Sequence, residues 1–306
     1  MSTVVTPYMS TKSRIASART RTEDLGAPPI ALVLAAIVSV QIGAAFARTL
    51  FSEAGPVGVV MLRLVFGGAA LGLLWRPRIR RRSRRDLILI GAFGATLACM
   101  NLSFYGAIDR IPLGVAVTLE FVGPLLVAII GSRRPLDLAW VGLAAAGIGL
   151  LAGGGAGALH PLGVVLALVA GGFWGLYILL SARTGRVYPG ASGLALATTV
   201  AAVLVTPVGI ATGGRGLLSV HVLAVGAAVG VLSSAIPWSL ELEALRRMPT
   251  HVFGVLMSLE PAVAALAGFG ILDQRLRLQA SIAIALVIIA SSGASWAGRG
   301  PSPPEP

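Results

Sequence analysis

The segment Gly114-Val-Ala-Val-Thr-Leu-Glu120 returns 140 residues later as Gly254-Val-Leu-Met-Ser-Leu-Glu260, with four of seven positions identical and Thr118 matched by Ser258. Both copies lie inside long apolar runs. Both end on a carboxylate near a proline, Pro124 in the first copy and Pro261 in the second. A charged side chain at the centre of a membrane span costs roughly 2.5–3.5 kcal/mol on insertion scales, so an embedded acid is read as functional by default. The repetition indicates a chain built twice.

Composition sets the solvent. Of the 306 residues, 56% are hydrophobic and only 12% are charged. Ordinary soluble domains carry about 25% charged residues. The 39 glycines suit membrane helices, whose backbones approach closely over small residues. Apolar runs near 20 residues match a hydrocarbon core of about 30 Å. Ten are read: 28–47, 56–75, 87–108, 112–131, 136–153, 161–181, 191–211, 218–240, 251–272 and 278–297. The first is longer than the core of about 7–15 residues in a signal peptide, which favours a retained span.

The repeat extends beyond the opening motif. Pro29-Ile-Ala-Leu-Val-Leu-Ala35 and Pro161-Leu-Gly-Val-Val-Leu-Ala167 open the first and sixth runs, and Gly43 and Gly175 follow at equal offsets. The expected domains are two five-helix repeats, 28–153 and 161–297, between a disordered polar tail 1–27 and a short tail 298–306. Five spans per half is odd, so the halves run in opposite directions. The expected fold is therefore an all-α integral membrane protein of ten transmembrane helices in two inverted repeats. Such repeats place substrate sites near the midplane between the halves.

The net charge of +12 invites a nucleic-acid partner, but its distribution points to the lipid bilayer. Arg76, Arg78, Arg80, Arg81, Arg82, Arg84 and Arg85 crowd one loop between apolar runs. With the N-terminus in the cytoplasm, 18 of the 24 Lys and Arg residues fall inside, five fall outside, and Arg63 lies within the second run. That asymmetry places both termini in the cytoplasm.

Candidate site residues follow from polarity within the runs. Pro124 has no N–H to offer the Glu120 carbonyl, and Pro261 none for that of Met257, so each acid lies beside an interrupted helical ladder. Freed backbone beside an ionisable group is a feature of broken-helix transporter sites. Glu120 and Glu260 are candidate proton or ammonium carriers; the alternative is that each only bonds a neighbouring helix. Arg63 either holds a carboxylate or snorkels to an interface, the second being slightly favoured. Gln41, Tyr105, Tyr177 and Ser239 are further cavity candidates, and Asn101, Trp174 and Trp238 are noted beside them. Glu241 and Glu243 are expected to meet Arg246 and Arg247 at a span end.

Other chemistries find little support. Gly147-Ile-Gly149-Leu-Leu-Ala152 and Gly153-Gly-Gly155-Ala-Gly-Ala158 fit a loose dinucleotide pattern but lack the strand–helix context. Gly68 and Gly72, Gly171 and Gly175, and Gly226 and Gly230 read as close helix contacts. His160, His221 and His251 are far apart near run ends, and Cys99 is the single cysteine. No cofactor or metal is implied, and no zinc-helix or serine-nucleophile motif points to an enzyme.

Several segments carry a family resemblance. They are Ser39-Val-Gln41-Ile-Gly43, Pro112 to Leu125, Ser132-Arg-Arg-Pro135, Ile236-Pro-Trp-Ser-Leu-Glu241 and Met248 to Pro261. In them the chain resembles the drug/metabolite transporter superfamily with its two EamA-type halves. Within that superfamily it is most similar to the group that exports threonine and homoserine. The resemblance covers residues 28–297 and implies export of a small amino-acid substrate across a bacterial inner membrane, driven by exchange with protons. An embedded carboxylate that alternates between a proton and a substrate ammonium fits that expectation. One departure stands out: where the family commonly has Gly-Glu, this chain reads Leu272-Asp273-Gln274. Another small metabolite or drug as cargo, a passive channel and a membrane-embedded enzyme are the rival readings.

Overall fold

The computed structural model describes residues 27–77, 83–130, 135–152, 159–188 and 190–297. The expected disordered tail up to residue 26, Arg78, Arg80 to Arg82, Arg133, Arg134, the glycine-rich stretch 153–158 and the tail 298–306 lie outside the described residues. Among the described residues the chain is helical with short connections. The first half contributes α1 (Pro29–Thr49), α2 (Phe51–Trp75), α3 (Arg84–Ile108), α4 (Leu113–Glu120), α5 (Val122–Ile130) and α6 (Pro135–Ala152). The second contributes α7 (Pro161–Gly185), α8 (Ser192–Gly213), α9 (Val220–Gly230), α10 (Ile236–Arg247), α11 (Thr250–Met257), α12 (Glu260–Leu272) and α13 (Leu278–Ala297). A single π-helical turn, Val231–Ala235, joins α9 to α10. Among the described residues eight helical segments, rather than the ten expected, are long and apolar enough to cross a membrane, and Leu113–Val127 and Ala139–Leu150 are shorter apolar helices.

Local chemistry explains the ends and breaks. Gly55 in α2 takes φ 65°, which glycine tolerates, and Pro56 then starts the regular helix. Ser83 and Asp86 form a reciprocal capping box at the start of α3, each bond 3.2 Å long. The repeated heptapeptide folds alike in both copies. Thr118 Oγ1 donates to the Gly114 carbonyl at 2.6 Å, and Ser258 Oγ donates to that of Gly254 at 3.0 Å. Such back-bonds bend helices. The α4–α5 break falls at Phe121 and the α11–α12 break at Ser258 and Leu259, beside the two glutamates.

Packing between the halves obeys an exchange rule. α1 packs on α9–α10 and on α12; correspondingly, α7 packs on α3 and on α4–α5. α2 packs on α8 and α9, and α8 packs on α2 and α3. α4 meets α12, and α6 meets α13. For these principal contacts, replacing each helix by its counterpart in the other half returns the same pairing, whereas α13 also touches α4 and α11 without an equal on the α6 side.

Lipid is as apolar as the helices, so van der Waals fit rather than hydrophobic expulsion holds such a bundle together. The glycines provide that fit. A Cβ on Gly171 would stand 2.5 Å from the Glu120 carbonyl oxygen, and one on Gly230 would stand 2.8 Å from the Gly67 nitrogen. Gly68 lies on Thr198, whereas nothing approaches Gly72 within 4 Å, so only part of that expected contact forms. Leu73, Leu74, Ile130, Val203, Leu266 and Phe269 are exposed on the outside of the bundle.

Candidate functional site

The helices converge on a cavity of about 690 Å³. Its walls include Gln41 of α1, Arg63 of α2, Asn101 of α3, Glu120 of α4, Tyr177 and Ser181 of α7, Ser233 of the π turn, Glu241 of α10 and Glu260 of α12. Trp174, Trp238, Phe121 and Phe253 supply aromatic walls. The two repeated glutamates thus meet one chamber although they are 140 residues apart. Gln41, Arg63, Glu120 and Glu260 are all buried, at 3%, 8%, 9% and 6% exposure.

Arg63 is not at an interface. Its Nη1 donates to the Tyr105 hydroxyl at 3.3 Å and its Nη2 to the Ser233 carbonyl at 3.0 Å. The guanidinium also lies 5.5 Å from the Tyr105 ring centroid. That carbonyl is available because Pro237, four residues on, has no N–H for it. Snorkelling, which the position within the run favoured, is therefore corrected. Helix packing and a freed backbone acceptor hold the cation inside. Among the described residues no carboxylate oxygen lies within 4.0 Å of it, and its Nε is buried without a partner.

The acids are held differently. Glu260 Oε2 accepts from Gln41 Nε2 at 3.4 Å, which leaves Gln41 Oε1 buried without a partner. Glu120 accepts no hydrogen bond among the described residues, while its main-chain carbonyl rests on Gly171. Glu241 overturns its sequence reading. Glu243 is the acid that pairs with Arg246 at 3.5 Å and with Arg247 Nε at 2.7 Å. Glu241 instead lines the cavity, as Glu260 and Tyr177 do. It also borders a side chamber of about 210 Å³ together with Tyr177, Ser181, Trp238 and Thr184. Alternation around α10 was the available signal: residues 241 and 243 are about 200° apart on a helix, so one basic cluster cannot easily take both.

Two candidates fall outside the cavity lining. Tyr105 is fully buried behind Arg63 and belongs to an aromatic group with Phe51 and Phe104, at centroid distances of 5.8 and 6.0 Å. Ser239 Oγ donates to the Ala235 carbonyl of its own helix at 2.7 Å. Ser181, Ser233, Thr250, Ser291 and Ser295 line the cavity and had no distinguishing signal, since serine and threonine are common in apolar helices.

The cavity is closed at one end and open at the other. At the closed end Leu50, Tyr105, Ile108 and Leu113 are enclosed. Arg48 Nε donates to the Ile108 carbonyl at 2.8 Å, and its Nη2 stands 3.8 Å from Asp109 Oδ1. The Leu113 N–H, at the start of α4, donates to Gln274 Oε1 at 2.9 Å, tying one half to the other. Asp273, at φ 53°, ends α12 and turns Gln274 into this bond. At the open end the lining residues Ala182, Leu245 and Thr250 are exposed.

An apolar helical bundle around a buried polar chamber that opens at one end is the architecture of a membrane transporter. The chain belongs to the EamA-like transporter family, whose model matches it twice, at residues 27–152 and 161–296. It is 40% identical over 273 residues to the threonine/homoserine exporter RhtA of Escherichia coli (strain K12), covering 89% of this chain and 92% of that one. The RhtA protein of Salmonella typhimurium (strain LT2) is 40% identical over 269 residues, 87% of this chain and 91% of its own. The uncharacterized transporter YwfM of Bacillus subtilis is 23% identical over 246 residues, 78% and 83% of the two chains. A solved crystal structure shares the fold with TM-score 0.58 at 21% identity, covering 88% of this chain and 97% of its own.

Proposed function

We propose that this protein exports small amino acids of the threonine and homoserine kind across a bacterial inner membrane by proton-coupled antiport. One observation carries the reading: a single chamber is lined by one buried arginine, Arg63, and by three glutamates, Glu120, Glu241 and Glu260. A zwitterion needs that pairing. Arg63 takes its carboxylate, and the acids take its ammonium. The family and the exporters named above support the substrate class.

The acids also supply the exchange. A carboxylate that holds either a proton or a substrate ammonium, but not both, couples the two fluxes in opposite directions. Glu120 and Glu260 are the principal carriers. Glu241, nearer the open end, passes the proton between Glu260 and the aqueous side. Gln41 orients Glu260, Tyr105 positions Arg63, Tyr177 borders the ammonium site through its neighbour Glu241, and Ser239 is the weakest of the candidates.

The ten apolar segments are read as ten spans in two oppositely directed halves with both termini in the cytoplasm. The exchange rule in the packing supports a two-fold relation between the halves. In that orientation the open mouth, near Ala182 and Thr250, faces the cytoplasm, the side from which an exporter collects cargo.

Proteoliposomes test the mechanism. Threonine or homoserine accumulates against its own gradient when a proton gradient is imposed. Flux that follows only the substrate gradient removes antiport from the reading, and absence of flux removes the substrate class.

A further inference from the structure

The side chamber of about 210 Å³ lies where the end of α7, the start of α8 and α10 come together, with Phe93 of α3 among its walls. Tyr177, Ser181, Trp238, Glu241 and Leu245 line it and the main cavity alike, so the two share one wall. Glu241 is the acid of that wall. The exposed Thr250 belongs to the main cavity alone, and the exposed Gly185 to the side chamber alone. A Cβ on Gly185 would meet nothing within 4 Å. Each chamber thus has a surface of its own. We infer that the side chamber is a water-filled exit for the exchanged proton, separate from the mouth that admits the amino acid, and that Glu241 stands where the two routes divide. The inference rests on the antiport proposed above and gives its proton a path.

An exporter driven by antiport loads its cargo and discharges its proton on the same side. As the ammonium approaches, a carboxyl O–H bond breaks, water takes the proton as hydronium, and the ammonium pairs with the carboxylate left behind. In a single passage, arriving cargo would shut out the water that must take the proton. A second chamber against the same acid removes that conflict.

The side chamber suits water better than cargo. A water occupies about 30 Å³ of liquid volume, so several fit. Buried water needs about two to four polar partners, and Tyr177, Ser181, Thr184, Tyr188 and Glu241 are among the lining residues. No cation lines it among the described residues, so nothing there holds the carboxylate of a zwitterion; Arg63 lines only the main cavity. Acids that relay protons inside membranes face water-filled cavities. Glu241 precedes Arg246 and Arg247 by only five and six residues, about 8–9 Å along α10, so a short column of water joins it to that end of the bundle. Glu243, paired with those two arginines, takes no part.

Leu242 lines the side chamber and not the main cavity, so it can be changed without touching the cargo's route. In proteoliposomes of the full-length protein, Leu242→Trp should fill the chamber and slow threonine accumulation driven by a pH gradient severalfold. Threonine–threonine exchange, which moves no net proton, should stay at the wild-type rate and reports that the variant is folded. Exchange intact with pH-driven accumulation also at the wild-type rate overturns the inference. If Leu242→Trp loses exchange as well, cysteine labelling decides. In a Cys99→Ala background, saturating threonine should slow the reaction of a small charged thiol reagent with Thr250→Cys severalfold and leave that with Leu242→Cys unchanged. Protection of both positions, or no reaction at Leu242→Cys, means a single passage and overturns the inference. A wild-type protein without pH-driven accumulation overturns antiport first and this inference with it.

Discussion

Arg63 Nη2 donates to the main-chain carbonyl of Ser233 at 3.0 Å, across 170 residues of sequence. The bond exists because Pro237 offers that carbonyl no N–H, and it joins α2 of the first half to the π turn of the second. A cation held by backbone and by a tyrosine hydroxyl, rather than by an acid, keeps its remaining donors for a ligand.

Arg63→Gln therefore loses carboxylate recognition more than fold. In counterflow, the wild-type protein should prefer threonine over threoninamide, which lacks the carboxylate, by about 10–100-fold, the value of one charge-assisted pair of hydrogen bonds. The variant should treat the two nearly alike. Arg63→Lys should recover only part of the preference, since an ammonium lacks the planar fork. An unchanged preference in Arg63→Gln would remove this residue from the site.

The two repeated acids are set differently. Glu260 is tied to Gln41, while Glu120 has no hydrogen-bond partner among the described residues. Glu120→Gln should abolish accumulation driven by a pH gradient while the purified protein remains monodisperse. Glu260→Gln should do the same and also raise the substrate concentration needed for half-maximal exchange, because the Gln41 contact changes. Full pH-driven accumulation in Glu120→Gln would exclude it from coupling.

Two neighbouring glycines should respond oppositely to a methyl group. At Gly171 the new Cβ meets the Glu120 carbonyl, whereas at Gly172 nothing lies within 4 Å. Gly171→Ala should destabilise the protein by about 1–3 kcal/mol through overpacking. Gly172→Ala should be neutral or stabilising by up to about 1 kcal/mol through helix propensity. Melting curves in detergent compare them, and equal melting temperatures would show that the Gly171 approach does not matter.

The closed end depends on one inter-half bond from the Leu113 N–H to Gln274. Gln274→Ala leaves a partly buried donor unsatisfied, at about 1–3 kcal/mol. The closed end should then open more often. In a Cys99→Ala background, a cysteine at Asn101 should react severalfold faster with a membrane-impermeant reagent applied to right-side-out vesicles. No change in rate would assign the seal to the aromatic group around Tyr105 alone.

Orientation has a direct readout in the same background. A cysteine at Thr250 should label in inside-out vesicles, and threonine should slow that reaction. A cysteine at Arg215, at the other end of the bundle, should label only in right-side-out vesicles. The reverse pattern would invert the proposed topology.

Much of this molecule is legible along the chain. Hydropathy places some helices closely, the runs 28–47 and 161–181 becoming Pro29–Thr49 and Pro161–Gly185, but the run 56–75 begins at Phe51 and the run 218–240 reaches Arg247. The prolines foretell the breaks at Glu120 and Glu260, because a missing N–H is a covalent fact. Which side chains meet is decided elsewhere. A soluble helix carries an apolar stripe that tells which face turns inward. Apart from α10, whose acids alternate around the helix, most of these helices are apolar on nearly every side, since lipid and neighbour are equally acceptable surroundings. The rotation of each helix is then set by glycine contacts and by backbone acceptors in other helices. That is why Arg63 turns to the Ser233 carbonyl, why Glu241 enters the chamber while Glu243 meets Arg246 and Arg247, and why Tyr105 and Ser239 stay off its walls. Sequence determined the helices, their breaks and the doubled acid; only tertiary packing, in a solvent that leaves helix rotation free, decided which polar groups share one chamber.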